Sequence, residues 1–344
     1  MRLAHLRRGI NLSGWFAQVY DPRGYSQEHL QSWVTASDMS RSKSMGFDHV
    51  RLSVNPKPLF NAREPEKIPA AYLGYLDAAI KMALDHGLAV VLDIHPDGDF
   101  KASLKDDTSV LEFTDFWRAL AAHYFSWDPD RLFLEIMNEP EMQDPYRWLG
   151  IETKVAVAIR EAAPQHTIIA AGARWSDDDD LVFLEPLRDP NVIYNFHFYE
   201  PHIFTHQGAT WGTYYWHWLK DLHYPSSLEN SEKVADEVQD PADRLNVIRY
   251  GFDHWNSARV DGELKQASDW ASRNHVALTC NEFGVFRNAN LEDRARWISD
   301  VRTALEHYGI GWAMWDYDGN FGVVTKANGK TTADGLTLHA LGLK

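Results

Sequence analysis

The chain has 344 residues, of which 44% are hydrophobic and 24% are charged, so it is long enough to bury a large core. Its formal net charge of −15 argues against binding to nucleic acid and against docking on an anionic membrane, since both need a basic surface. The chain contains one cysteine, Cys280, so neither an intramolecular disulfide nor a cysteine-based zinc site can form.

The start of the chain has several charged residues and no long apolar segment, so we predict no signal peptide in it. No stretch of about 18 apolar residues occurs anywhere, so we expect no transmembrane helix. The localisation stays open, and we expect a monomer.

Short apolar segments alternate with amphipathic segments along the whole chain. The apolar segments predict strands at residues 8–12, 49–54, 88–95, 132–139, 166–171, 192–198, 276–283 and 310–315. The segments between and after them have helical spacing and predict helices at residues 27–45, 70–86, 111–125, 146–163, 178–187, 243–274, 291–307 and 334–343.

Nearly continuous apolar strands indicate a parallel sheet that is buried on both faces. Eight strand–helix units predict an α/β fold, a (β/α)8 TIM barrel. The alternative is an open doubly wound sheet, but no Gly-x-Gly-x-x-Gly turn follows the first predicted strand. We find no repeat and no low-complexity linker, so we predict a single catalytic domain over residues 1–344. It has an enlarged loop after the sixth strand, an insertion at residues 208–241 on the carboxyl face.

The fourth predicted strand ends in Asn138, Glu139 and Pro140. Because proline cannot donate a ladder hydrogen bond and disfavours helix at the preceding residue, we predict that the strand stops at Glu139. Proteins with a parallel α/β sheet bind their ligands at the carboxyl ends of the strands. Since side chains alternate along a strand, Glu139 should share a face with Glu135 and Met137.

Five further predicted strands also end in polar or aromatic side chains. Alternation pairs these side chains on shared faces as follows: Arg51 with Ser53, Asp93 with His95, Asn195 with His197 and Tyr199, Cys280 with Glu282, and Ala313 with Trp315. A single polar strand end is usually a solvated turn residue, but six of them would meet in one cleft if the sheet closes into a barrel.

Glu139 and Glu282 would then face each other across that cleft. Two carboxylates that flank a bond are what glycoside hydrolysis requires, one as acid and the other as nucleophile or base. A separation of about 5–5.5 Å implies retention of configuration, and about 6.5–9.5 Å implies inversion. The alternative interpretation is that the two glutamates only cap or form salt bridges.

The chain resembles glycoside hydrolase family 5, a clan A family of retaining endoglucanases, mannanases and lichenases. The segments that carry the resemblance are, in chain order, RGIN at 8–11, HVRL at 49–52, DIH at 93–95, LEIMNEP at 134–140, FHFY at 196–199, NEFG at 281–284 and WAMW at 312–315. The segment THQGA at 205–209 resembles the bacterial endoglucanase branch in particular.

The resemblance implies double-displacement cleavage of a β-1,4-linked glucan, or a related oligosaccharide or polysaccharide, with no cofactor and no metal. It implies Glu139 as the acid/base, protonated at rest, and Glu282 as the nucleophile. It also implies substrate-binding or supporting roles for Arg51, His95, Asn138, His197, Tyr199 and Trp315. A β-mannanase, or an exo-acting or oligosaccharide-specific glycosidase on the same barrel, is the alternative.

Aromatic residues are abundant, with 14 Trp, 14 Tyr and 16 Phe, and flat rings cover the apolar faces of sugars. Trp211, in the predicted insertion, is a candidate substrate-binding residue for this reason. The chain departs from the family at Pro96 and Asp97, where related endoglucanases often have His-Tyr after the first His. One sugar-contacting histidine is therefore missing, and we interpret Asp97 and Asp99 as loop residues.

Two other functions remain as alternatives. A metal-dependent barrel hydrolase would use the alternating side chains Asp93, His95, Asp97 and Asp99 as ligands, with His197 and His202 nearby. A non-catalytic carbohydrate-binding barrel would keep the aromatic residues but would need only one of the glutamates. We interpret the acidic run at residues 177–180 as the solvated start of a helix.

Overall fold

The computed structural model describes residues 2–20 and 22–344, so Met1 and Asp21 lie outside the described residues. Eight parallel strands pair in sequence order and close into a barrel, since the last strand pairs with the first. The strands are β1 (Arg8–Phe16), β2 (His49–Val54), β3 (Ala89–Ile94), β4 (Leu132–Glu135), β5 (Ile168–Ala171), β6 (Val192–Phe198), β7 (Ala277–Phe283) and β8 (Gly311–Met314). The predicted (β/α)8 fold class is confirmed.

Helices follow the strands along the chain. They are α1 (Gln27–Ser32), α2 (Ala36–Met45), α3 (Ala70–Asp85), α4 (Gly98–Ser103), α5 (Asp107–Tyr124), α6 (Pro145–Ala162), α7 (Asp178–Leu181), α8 (His202–Thr205), α9 (Leu228–Ala235), α10 (Pro241–Phe252), α11 (Ser257–Asn274), α12 (Leu291–His307) and α13 (Gly335–Ala340). None of the helices in the described parts of the chain is both long and apolar enough to cross a membrane.

The inside and outside of the barrel have different compositions. Side chains on the outer face of the strands, such as Val90 and Leu92, belong to a large core that also contains apolar helix residues. On the inner face, Val91 and Phe133 belong to a small apolar cluster. Further along β3 the inner face carries the fully buried Asp93 instead. The interior therefore changes from apolar to charged toward the carboxyl ends of the strands.

Two of the predicted helices are each two helices in the structure. The segment at 27–45 divides into α1 and α2, because the Asp38 carboxylate accepts a hydrogen bond from the Thr35 backbone N–H and starts a new helix there. The segment at 243–274 divides into α10 and α11, because the Asn256 side chain caps the N-terminus of α11. Local capping therefore interrupts what looked like continuous helical spacing.

The structure also contains elements that the sequence analysis did not predict. Residues 98–103 form α4, and Asp97, which precedes the helix, accepts a hydrogen bond from the Phe100 N–H at 3.1 Å as its N-cap. Asp97 is thus a loop residue as predicted, whereas the loop interpretation of Asp99 is wrong because Asp99 lies in the first turn of α4. An antiparallel hairpin, β9 (Val324–Ala327) and β10 (Lys330–Ala333), precedes α13. Residues 208–241 contain a short 3₁₀ helix and α9. Their assignment as an insertion in one domain stays a prediction.

Candidate active site

A cleft of about 1440 Å³ lies at the carboxyl ends of the barrel strands. Its lining includes eight of the nine predicted site residues: His95, Asn138, Glu139, His197, Tyr199, Trp211, Glu282 and Trp315. The ninth, Arg51, is fully buried and donates a hydrogen bond to Glu282. The barrel therefore brings together side chains from six strand ends and from the segment after β6.

The two glutamates approach each other closely across this cleft. One carboxylate oxygen of Glu139, one of Glu282 and one ring nitrogen of His197 all lie within 4.8 Å of one another. Within the parts of the chain that the structure describes, this is the only group of three or more acidic, histidine or cysteine side chains with metal-ligating spacing.

The four residues of the metal-site hypothesis are arranged differently. His95 Nδ1 lies 2.9 Å from Asp93 Oδ2, and Asp93 also lies 3.1 Å from an Arg51 nitrogen. Asp97 caps α4, and Asp99 lies in the first turn of that helix. Asp93 thus faces a guanidinium, and the alternating acids do not converge on one point as metal ligands would.

Arg51 lies beneath the cleft among three carboxylates. It donates from Nη1 to Glu282 Oε1 at 2.5 Å, and from Nε and Nη2 to the two oxygens of Glu135 at 2.9 and 2.8 Å. Burial alone would lower the pKa of the Arg51 guanidinium, but the charges of Asp93, Glu135 and Glu282 outweigh it and raise that pKa well above its usual value. Arg51 therefore stays charged beneath the cleft.

Glu282 is held from two sides. Its Oε1 accepts from Arg51, and its Oε2 accepts from the Tyr199 hydroxyl at 3.0 Å. Burial, together with the charge of Glu282, raises the pKa of Tyr199 well above its usual value, so the phenol keeps its proton and remains a donor. Glu282 itself is only 4% exposed. Its carboxylate therefore has a fixed orientation.

Glu139 has a different environment, with 27% of its side chain exposed. Its Oε1 lies 2.9 Å from His197 Nδ1. Burial lowers the pKa of His197 to about 4, so the imidazole is neutral near pH 7. The amide of Asn195 is oriented by the Asn281 backbone N–H, which donates to its Oδ1, and its Nδ2 then donates to His197 Nε2 at 3.3 Å. His197 must therefore carry its proton on Nδ1 and donate it to Glu139.

The chain around Glu139 does not follow the predicted alternation. The regular strand β4 ends at Glu135, and Met137 packs in the outer core. Asn138 nevertheless points inward, where its Oδ1 accepts from Arg51 at 2.9 Å. Glu139 then has a left-handed backbone with φ of 45°. The prediction of one extended strand with Glu135, Met137 and Glu139 on one face is therefore wrong, because the backbone turns after Glu135.

The chain around Glu282 departs from alternation for a second reason. Between the pairs Phe196–Cys280 and His197–Glu282, strand β7 has one extra residue, Asn281, which forms a β-bulge. Cys280 packs in the outer core, whereas Asn281 donates to Glu135 inside the barrel. The prediction that Cys280 and Glu282 share a face is therefore wrong. The bulge directs the side chains of two successive residues inward.

Aromatic side chains form parts of the cleft wall. The Trp315 ring stacks on the His95 imidazole, with ring centres 5.7 Å apart and an angle of 17°. Trp211 is 45% exposed and packs edge-on against Phe286 at 5.2 Å. Both tryptophans present ring surface to the cleft, which suits binding to the apolar face of a sugar ring.

Trp175 also lines the cleft, although it was not among the predicted site residues. It is 51% exposed, has a φ of 51°, and its N–H donates to the Pro140 carbonyl at 2.9 Å, directly beside Glu139. An exposed aromatic residue just after the fifth apolar segment was the available signal. That strand end was not among the six considered.

The acidic run after Trp175 is only partly as predicted. Asp178 and Asp180 are buried, with 7% and 2% exposure, and Asp180 forms an ion pair with Arg174. Burial and the neighbouring charge of Asp177 raise the pKa of Asp178 to about 9. A helix does start in this run as predicted, with Asp177 as its N-cap, but the interpretation of the run as solvated is wrong for Asp178 and Asp180, because α7 packs against β6 and α11.

Similar sequences and similar structures point to the same protein family. A sequence model of the cellulase family (glycosyl hydrolase family 5) matches residues 16–321. Endoglucanase C of Acetivibrio thermocellus is 30% identical over 328 residues, which cover 92% of each chain. Cellodextrinase A of Ruminococcus flavefaciens is 27% identical over 312 residues, 88% of this chain and 83% of that protein. The crystal structure of endoglucanase Cel5A from Thermotoga maritima is 27% identical and covers 99% of this chain and 98% of its own, with a TM-score of 0.80.

Proposed function

The chain belongs to glycosyl hydrolase family 5, and on this premise we propose that it is a retaining endo-β-1,4-glucanase that acts by double displacement. The observation that carries the retaining mechanism is the close approach of Glu139 and Glu282, which have carboxylate oxygens within 4.8 Å of each other. Retaining enzymes have a separation of about 5–5.5 Å, whereas inverting enzymes need about 6.5–9.5 Å to fit a water molecule.

In the first proposed step, Glu282 attacks the anomeric carbon while Glu139 gives its proton to the glycosidic oxygen. The bond to the leaving sugar breaks and an ester bond to Glu282 forms. The hydrogen bond from His197 occupies Glu139 Oε1, so Oε2 is free to carry the proton toward the leaving group. The residual exposure of Glu139 supports this role, since an acid must reach the substrate oxygen.

In the second proposed step, Glu139 takes a proton from water, which attacks the anomeric carbon and releases Glu282. The donors Arg51 and Tyr199 lie on opposite oxygens of Glu282. They hold the carboxylate in one orientation while it forms the ester and while it leaves. We assign these two residues as supports of the nucleophile.

The remaining predicted site residues would bind the sugar. We propose that Trp315 lies under the ring at the cleaved bond and that Asn138, fixed by Arg51, contacts its 2-hydroxyl. Trp211 and Trp175 offer further ring surface along the cleft. Since Trp175 is hydrogen-bonded to the residue after Glu139, we place it on the leaving-group side.

We propose that the substrate is a β-1,4-glucan and that the enzyme acts as a monomer. The similarity to an endoglucanase and a cellodextrinase supports glucose-based chains. A second candidate, β-mannan, is favoured by one observation. Thermotoga maritima Cel5A has been crystallised with mannotriose as well as with cellobiose, and its mannotriose complex matches this chain with a TM-score of 0.79.

A product analysis tests the proposal. Purified enzyme is incubated with carboxymethyl cellulose, mixed-linkage β-glucan, β-mannan and xylan, and reducing ends and viscosity are followed together. We expect a rapid fall in viscosity with a glucan and a β-anomer as the first product by NMR. Release of an α-anomer would exclude retention, and no product from any glucan would exclude the glucanase. A parallel assay with a chelator tests the metal alternative, for which activity would be lost.

A further inference from the structure

We propose that Gln18 is a substrate-binding residue whose side-chain amide binds a hydroxyl group of the sugar that lies on Trp315. Gln18 lines the cleft just after β1, and nothing in the sequence motifs points to it. The inference rests on the proposed function, because it needs a sugar in this cleft.

The backbone of Gln18 is unusual. Its φ of 53° lies in the left-handed region, which is strained for a residue with a side chain, and such strain is concentrated at functional sites. Glu139 and Trp175 are also non-glycine residues with positive φ, and both line the same cleft. Three of the eight non-glycine residues with positive φ in the described parts of the chain therefore line this one cleft.

The contact that Gln18 makes is with His95. Gln18 Nε2 lies 3.4 Å from His95 Nε2, and Asn138 Nδ2 lies 3.2 Å from the same nitrogen. His95 Nδ1 is paired with Asp93 at 2.9 Å, so in the neutral imidazole Nε2 is the acceptor. Two amide groups therefore compete for one lone pair.

Asn138 is the stronger competitor. Its Oδ1 already accepts from Arg51 at 2.9 Å, which turns its amide nitrogen toward His95. Its contact with His95 is also the shorter of the two. The Gln18 amide is thus free to exchange its weak contact with His95 for a sugar hydroxyl at small cost.

The neighbouring residue explains why this exchange matters in this chain. Pro96 follows His95 and has no hydrogen-bonding side chain, so the end of β3 offers a single histidine next to Trp315. Because His95 stacks on Trp315 with ring centres 5.7 Å apart, a group that is hydrogen-bonded to His95 lies near the ring on which the sugar would rest. The Gln18 amide supplies both a donor and an acceptor beside His95.

The test combines changes in the protein with changes in the substrate. We measure kcat/KM of the wild type and of Gln18→Ala on an aryl β-cellobioside and on analogues in which one hydroxyl at a time is replaced by hydrogen. We expect Gln18→Ala to lose about 3–10-fold on the parent substrate, the value of one neutral hydrogen bond. For the analogue that lacks the hydroxyl bound by Gln18, kcat/KM of the wild type should fall by the same factor. With that analogue, kcat/KM of Gln18→Ala should not fall further.

Two further variants separate binding from structure. Gln18→Gly accepts the positive φ without strain and should show the same loss as Gln18→Ala. Gln31→Ala removes an exposed amide on α1, outside the cleft, and should behave like the wild type. The inference is overturned if Gln18→Ala keeps full kcat/KM, or if its loss is the same with every deoxy analogue. If the wild type cleaves the parent cellobioside in the same assays, the proposed function holds even when the inference about Gln18 fails.

Discussion

The two carboxylates of the cleft have opposite surroundings, although both lie at strand ends of one barrel. Glu282 is 4% exposed and receives a charged donor on one oxygen and a phenol on the other. Glu139 keeps 27% of its side chain exposed and contacts a neutral histidine through one oxygen. The first environment suits a group that must stay in place and form a bond. The second suits a group that exchanges protons with substrate and water.

The largest effect is expected from Glu282→Gln, which replaces an attacking oxygen by an amide. We expect kcat to fall by about 10⁴-fold or more, since no covalent intermediate can form. An aryl cellobioside with a good leaving group should not restore turnover, because the missing group is the proposed nucleophile. Unchanged thermal unfolding serves as the control, and a variant that keeps wild-type turnover would contradict the assignment.

Glu139→Ala should have a large effect that depends on the leaving group. We expect a loss of about 10²–10⁴-fold on an unactivated oligosaccharide, the usual contribution of general acid catalysis. A dinitrophenyl cellobioside, which needs no proton, should still form the intermediate. Added azide should then raise the turnover rate and yield a β-glycosyl azide. An α-azide, or no response to azide, would reverse the roles given to the two glutamates.

Glu135→Gln tests how Glu282 is held through Arg51. Both oxygens of Glu135 face N–H donors, two from Arg51 and one each from Asn195 and Asn281. A glutamine would turn its own N–H groups toward two of these donors, so we expect kcat to fall about 10–100-fold as Arg51 shifts.

Glu152 provides the matched control for Glu135→Gln. It is another buried glutamate, but it lies on α6 and accepts from the Ala171 N–H. Burial raises the pKa of Glu152 to about 8, so it is protonated at neutral pH and a glutamine resembles it closely. Glu152→Gln should therefore leave kcat unchanged. Equal kinetic losses in the two variants would show that Glu135 acts only through folding.

The prediction for His197 is one of stability. Its pKa is about 4 when folded and about 6.5 when unfolded, so the unfolded chain binds more protons between these values. The stability from neutral His197 is thus complete above pH 6.5 and is lost as the pH falls toward 4. Between pH 7 and pH 5, the free energy of unfolding of the wild type should fall by about 2 kcal/mol more than that of His197→Gln. Urea unfolding measures the free energy of unfolding of both proteins. An equal fall in the wild type and in His197→Gln would contradict the prediction.

The sequence was sufficient where local rules hold. Strand β2 lies at the predicted residues 49–54, and helix α12 at the predicted residues 291–307. The apolar periodicity of a helix and the two-residue period of a strand depend only on the local sequence, so they predict these elements correctly. The same rule placed Asn195, His197 and Tyr199 on one inward face, and the structure has all three directed into the barrel or the cleft.

Prediction failed where a distant segment decides the local conformation. The left-handed turn at Glu139 and the bulge at Asn281 place successive residues inside the barrel, and both are maintained by contacts with other strands, such as Asn138 with Arg51 and Asn281 with Glu135. These partners lie on other segments of the chain, so the local sequence around Glu139 or Asn281 does not reveal them. Trp175 and Gln18 were missed for the same reason, since their positive φ values are stable only within the closed barrel.

The amino-acid sequence by itself determined the barrel class and the two glutamate-bearing strand ends, because hydrophobic period and residue type are local. Only the tertiary structure decided how differently the two glutamates are surrounded. Arg51, 231 positions from Glu282, becomes its hydrogen-bond donor through closure of the sheet. His197, 58 positions from Glu139, reaches it in the same way. The carboxyl ends of all eight strands meet at one rim, so residues far apart in the chain set the environment of each carboxylate there.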